Sequence, residues 1–150
     1  MVGQFIYRLV IYVTLFAFAL QGCGGQNKSI DPFLNTYYEQ AVKELRKGGI
    51  VIKKQPTLIK FVERLEGTRI MGVARGMFND EGIYIWISPA FLELDERQRL
   101  WVMLHELSHD AFNIKHQKSG IMGTHTPSYI GPATLKKNIE ELIELIKDER

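Results

Sequence analysis

Apolar side chains recur at helical spacing in three stretches of the chain. The first comprises Leu34, Tyr37, Tyr38, Ala41, Val42 and Leu45. Asp31 precedes it as an N-cap, Pro32 opens it, and Gly48-Gly49 ends it, so a helix is predicted over residues 32–47. The second carries Leu100, Met103, Leu104, Leu107 and Ala111. Ser88-Pro89 breaks the segment before it, and Asp95 with Gln98 fits a capping box, which predicts a helix over 96–112. Leu135, Ile139, Leu142, Ile143 and Ile146 predict a third over 134–147. Residues 120–131, rich in Gly, Thr, Ser and Pro, read as loop.

Strand patterns fill the interval between the first two helices. They fall at 50–52, 58–65, 70–78 and 82–87. The last two flank Asn79-Asp80-Glu81-Gly82, a turn composition, and read as an antiparallel hairpin. Residues 83–87 are apolar throughout, as an interior strand should be. The expected fold is α+β, a small twisted sheet with the first two helices packed on it and the third closing the far side. The strand from Gly72 to Phe78 is expected to form an edge over a cleft, where an extended peptide could bind by strand addition.

The first 22 residues stand apart from this pattern. Arg8 is their one charged side chain, and the largely apolar run that follows, residues 9–20, is too short to span a bilayer. It ends in Leu20-Gln21-Gly22-Cys23, which resembles a bacterial lipobox. The resemblance implies cleavage before Cys23 and a diacylglycerol on its sulfur. The chain then divides into a lipoprotein signal peptide (1–22), a polar tether (23–31) and a folded domain (32–150). Export and lipid anchoring to the cell envelope are expected. Gly24 is not the Asp that resembles an inner-membrane retention signal, so the outer membrane is expected where the host has one.

Cys23 is the only cysteine in the 150-residue chain, so no intramolecular disulfide is expected. The net charge is +2, and removing residues 1–22 with Arg8 lowers it to +1. Lys and Arg are scattered, which gives no electrostatic case for nucleic acid.

Candidate chemistry lies on the second helix. His105-Glu106-Leu107-Ser108-His109 is an HExxH motif. Residues four apart lie on one helical face, so both imidazoles can meet a single ion, and the Glu beside it can take a proton from a water there. Three protein ligands with one open position is the catalytic zinc pattern. Zinc lowers the pKa of water toward about 7 and polarises a scissile carbonyl. All four histidines lie between His105 and His125, as in a metal environment.

His105 to His116, HELSHDAFNIKH, followed by Ser119-Gly120-Ile121-Met122, resembles the zinc-binding region of metzincin-type metalloproteases. The likeness is closest to small bacterial lipoproteins with a HELGH-type helix. It covers residues 72–122 and implies His105, His109 and His116 as zinc ligands, Glu106 as general base and Met122 as the Met-turn residue. Tyr129, after that turn, is the candidate oxyanion stabiliser that such enzymes place there. The sequence departs from the pattern in two places. The third His lies seven residues past the second rather than six, and Asn113 stands where the family turns on Gly. Asn tolerates left-handed geometry better than most residues.

Other third ligands stay open: His125, or an acid from the third helix, Glu140, Glu141 or Glu144. Asp110 is a candidate partner for an imidazole, and Trp101, one turn before His105, a candidate cleft wall. The function implied is hydrolysis of a protein or peptide substrate by a zinc metallopeptidase held at a membrane through lipidated Cys23. A non-catalytic metal- or partner-binding lipoprotein is the alternative. Glu106 favours the enzyme, because metal storage needs the histidines but not that carboxylate.

Overall fold

A computed structural model describes residues 28–63, 65, 71–78 and 82–149. The apolar leader, Cys23 and residues 79–81 of the expected turn lie outside them. Three helices and a four-stranded mixed sheet make up an α+β fold. In chain order these are β1 (Ser29–Ile30), α1 (Pro32–Lys47), β2 (Pro56–Phe61), β3 (Gly72–Ala74), β4 (Ile83–Ile87), a 3-10 turn (Pro89–Glu93), α2 (Glu96–Phe112) and α3 (Pro132–Asp148). No helix among the described residues is long and apolar enough to cross a membrane.

Helix α1 begins where Asp31 accepts hydrogen bonds from the Phe33 and Leu34 amides. It ends where Gly49, at φ +82°, reverses the chain. Residues 50–52 do not form the expected strand. The Ile50 N–H is committed to Leu45 C=O as part of the helix end, while the Ile50 side chain is buried in the core. Asp95 and Gln98 form the expected capping box at the start of α2. Helix α3 starts two residues earlier than its apolar stripe suggests, because Pro132 serves as an opening residue.

The strand order is β1-β2-β4-β3. The pair β3–β4 is antiparallel, as the hairpin reading requires, whereas β2 runs parallel to both β1 and β4. β1 was not anticipated, because it lies in the stretch read as tether. β4 is interior, and its Ile83, Ile85 and Ile87 are fully buried. Each such side chain contributes about 2 kcal/mol of burial free energy. They meet α1 and α2, which lie on one face of the sheet and against each other. Helix α3 packs on these two helices, with Ile143 against Gly48 at the end of α1. β3 is an edge strand and borders α2, as expected. It is far shorter than the 70–78 pattern, for a reason that lies in α2.

Candidate metal centre

His105 and His109 sit one turn apart near the end of α2, with ring centroids 4.5 Å apart. The helix ends at Asn113, which adopts the left-handed conformation at φ 58° and ψ 25°. Its N–H bonds to His109 C=O at 3.1 Å, and Ile114 N–H bonds to Ser108 C=O at 3.3 Å. This reversal returns the chain toward the helix and brings His116 back over the two imidazoles. Asn tolerates this left-handed geometry better than most residues, so no glycine is needed at the turn.

Three imidazole nitrogens converge. His105 Nε2 lies 3.0 Å from His109 Nε2 and 3.2 Å from His116 Nε2. The ligand atoms of His105, His109 and His116 all lie within 4.8 Å of one another, close enough to hold one metal ion. Their opposite ring nitrogens fix the tautomers. His105 Nδ1 donates to Ile121 C=O at 2.6 Å, and His109 Nδ1 donates to Ile114 C=O at 2.5 Å. A carbonyl only accepts, so both Nδ1 atoms carry the proton and both Nε2 atoms present lone pairs. Two lone pairs 3.0 Å apart repel unless a cation lies between them. A tetrahedral zinc with bonds of about 2.0–2.1 Å sets its nitrogens about 3.3 Å apart, so the donor set fits such an ion. Burial pushes His105 down to about 4 and lowers His109 as well, which keeps both neutral and able to ligate at neutral pH.

Glu106 projects from the same turn against β3. Its carboxyl faces the Ala74 amide, and it is only 5% exposed. Burial pushes its carboxyl up to about 8, against a lowering by the Ala74 amide and with a smaller rise from Asp110. A cation at the Nε2 cluster would act in the opposite sense. Gly72 is what admits Glu106 here, because a Cβ on it would stand 2.6 Å from Glu106 Cγ and 2.8 Å from Oε1. Imidazoles and carboxylate form the floor of a cleft of about 790 Å³, flanked by β3 and walled by Met77, Trp101 and Thr126.

The remaining candidates fall in different places. Met122 is buried in a tight turn closed by Gly123 N–H to Gly120 C=O at 3.0 Å. Ile121 in that turn supplies the carbonyl that orients His105. His125 lines the cleft, bonded through Nδ1 to Thr124 Oγ1 at 2.9 Å, but is not part of the converging trio. Glu140, Glu141 and Glu144 are outside that trio too and pair with Lys136, Lys137 and Lys147 along α3. Tyr129 is 72% exposed and is not among the residues lining the cleft. The loop between α2 and α3 carries it away from the site that its sequence position suggested.

Asp110 is a correction to the sequence reading. It holds no imidazole, because backbone carbonyls already take both Nδ1 protons. Its Oδ2 accepts instead from Gly76 N–H at 2.6 Å and Tyr84 N–H at 3.0 Å, and Lys54 Nζ stands 3.7 Å from Oδ1. Reading for chemistry missed Lys54, Gly72 and Gly76. An isolated Gly within a strand pattern does signal close backbone approach, so Gly72 had a usable sign. Nothing local marks Lys54, whose partners lie 22 and 56 residues away. In comparison with known proteins, the chain matches no protein-family model, no curated protein and no solved structure.

Proposed function

We propose that this chain is a zinc-dependent metallopeptidase of metzincin-like type. One observation carries the reading: three histidine Nε2 atoms converge, two with their protons tied back to carbonyls, beside a buried carboxylate in an open cleft. His105, His109 and His116 would hold the ion. Zinc bound there would supply Lewis acidity, activating water near neutral pH and polarising a peptide carbonyl.

The chain's own residues would do the rest. Glu106 is placed to take a proton from the attacking water and to return it to the leaving amine. Gly72 and Ala74 of β3 press against that carboxylate at the wall of the cleft. The bonds from Arg75 N–H to Tyr84 C=O and from Ser88 N–H to Met71 C=O turn the odd-numbered residues of β3 toward β4. The N–H and C=O of Gly72 and the C=O of Ala74 therefore point away from β4, while the Ala74 amide faces Glu106. They suit an extended peptide lying along the edge. With Cys23 as lipid acceptor, the enzyme would work at the surface of the cell envelope.

The test is Glu106→Gln in the mature domain. Gln is nearly isosteric, so metal content should stay at one zinc per chain. Turnover of a quenched-peptide library should fall at least about a hundredfold, the lower range for a positioned acid–base group. Equal cleavage by both proteins would assign the activity elsewhere. Tight zinc binding without cleavage by either would favour the non-catalytic metal-binding role.

A further inference from the structure

The last turn of α2 carries a buried ion pair that the chemistry above does not use. Asp110 is fully buried, and the Lys54 side chain is 9% exposed. Lys54 Nζ donates to Gly76 C=O at 2.8 Å and to Asp110 C=O at 2.5 Å. That second carbonyl belongs to the helix end, whose last four carbonyls lack intrahelical donors. One ammonium therefore caps α2, faces the Asp110 carboxylate and grips the end of the edge strand.

Glu106 and Asp110 are four residues apart and share a face of α2. Their targets, the Ala74 and Gly76 amides, are two residues apart on the β3 side. Four helical residues rise about 6 Å, and two strand residues about 6.6 Å. The two carboxylates thus meet the chain at matching intervals, Glu106 beside β3 and Asp110 just past its end. The ladder to β4 stops at Arg75 N–H to Tyr84 C=O, and beyond it Asp110 takes both the Gly76 and the Tyr84 amides. This is why β3 ends so early. A Cβ on Gly76 would collide with the Asp110 carboxylate, so the approach depends on glycine there.

The two carboxylates differ in one respect. Glu106 has to give and take a proton, whereas Asp110 is held by an ammonium. We propose that Lys54 and Asp110 form a clamp that fixes the register of the edge strand against Glu106, required for hydrolysis and dispensable for holding the metal. Lys54 is on this account a positioning residue. The inference rests on the peptidase reading for its kinetic part only.

Lys54→Met keeps the length of the side chain and removes its charge and donors. The expected result is one zinc per chain with unchanged affinity, and kcat lower by tenfold or more. Asp110→Asn should also lower kcat, and the double variant should be little worse than either single, since both remove one device. Amide exchange by NMR supplies a readout independent of activity. Gly76 and Ala74 should exchange at least tenfold faster in Lys54→Met, while the Ile85 amide of β4 is unchanged. Wild-type kcat together with unchanged Gly76 and Ala74 exchange overturns the clamp. Loss of zinc in proportion to loss of activity also overturns it, because the pair would then be supporting the metal centre. If Lys54→Met does not fold, Lys54→Gln, which keeps a neutral donor, is measured in the same way. If the wild-type protein cleaves no peptide, the peptidase reading fails, and the exchange experiment alone decides the clamp.

Discussion

At the scale of single residues, the centre is organised by what its side chains are denied. His105 and His109 are denied a choice of tautomer by two backbone carbonyls, so their lone pairs face inward. Glu106 is kept from bulk water by burial and denied room by β3. Gly72 shows how narrow that placement is. Gly72→Ala would put a methyl within 2.6 Å of Glu106 Cγ, closer than such atoms approach, and the carboxylate would have to move. Misplacing a catalytic group by about 1 Å can cost about a hundredfold in rate. Gly72→Ala should therefore keep its zinc and lose peptide turnover by about that factor. Metal analysis and kinetics on one preparation check this. Wild-type turnover in Gly72→Ala would show that Glu106 does not work from the position seen.

Among elements, the loop joining α2 to His116 is decisive, and it depends on Asn113. A residue with a Cβ in left-handed geometry costs about 1–2 kcal/mol, less for Asn and more for a β-branched residue. Asn113 also accepts from Phe78 N–H at 2.6 Å, which ties the loop to the end of the hairpin. Asn113→Gly should thus destabilise by less than about 1 kcal/mol in urea, and Asn113→Val by about 2 kcal/mol. The Val variant should also bind zinc more weakly, because Ile114 and His116 hang on the same reversal. Equal stability and zinc affinity for Gly and Val variants would refute a role for that conformation. The same contrast explains what the sequence reveals. Helices 32–47 and 96–112 are legible to the residue, because their caps and apolar stripes are local. The extent of β3 is not, because Asp110, 26 residues past Tyr84, takes the Tyr84 amide out of the ladder. The 50–52 pattern misleads because the backbone of Ile50 serves the end of a helix. His105, Glu106 and His109 are legible from spacing alone. The convergence of His116 depends on a reversal that only resemblance suggested, and the displacement of Tyr129 on a loop path that no periodicity encodes.

For the whole molecule, the metal would join parts that are otherwise held separately. His105 and His109 belong to α2, which packs on α1, β3, β4 and α3. His116 belongs to a loop outside regular structure and is exposed. It touches the His105 and His109 rings, and neighbouring Gln117 N–H bonds to Met122 C=O at 2.8 Å. An ion shared by all three imidazoles binds the folded chain and not the unfolded one, so it must raise stability by mass action. At a free zinc concentration a thousandfold above Kd the gain is about 4 kcal/mol, which for a domain of this size raises Tm by roughly 10 °C or more. Chelation should reverse that shift. His105→Ala, lacking the central nitrogen, should melt at one temperature with or without chelator. His116→Ala should show a reduced shift, because two ligands remain on a helix that folds without the metal. Calorimetry on the four combinations of chelator with wild type and His116→Ala separates the cases. If chelation leaves the wild-type Tm unchanged, the imidazole cluster is not a metal site, and the peptidase reading falls with it. If His116→Ala keeps the full shift and His125→Ala loses it, the ion is held by His105, His109 and His125, and the loop must close differently around it.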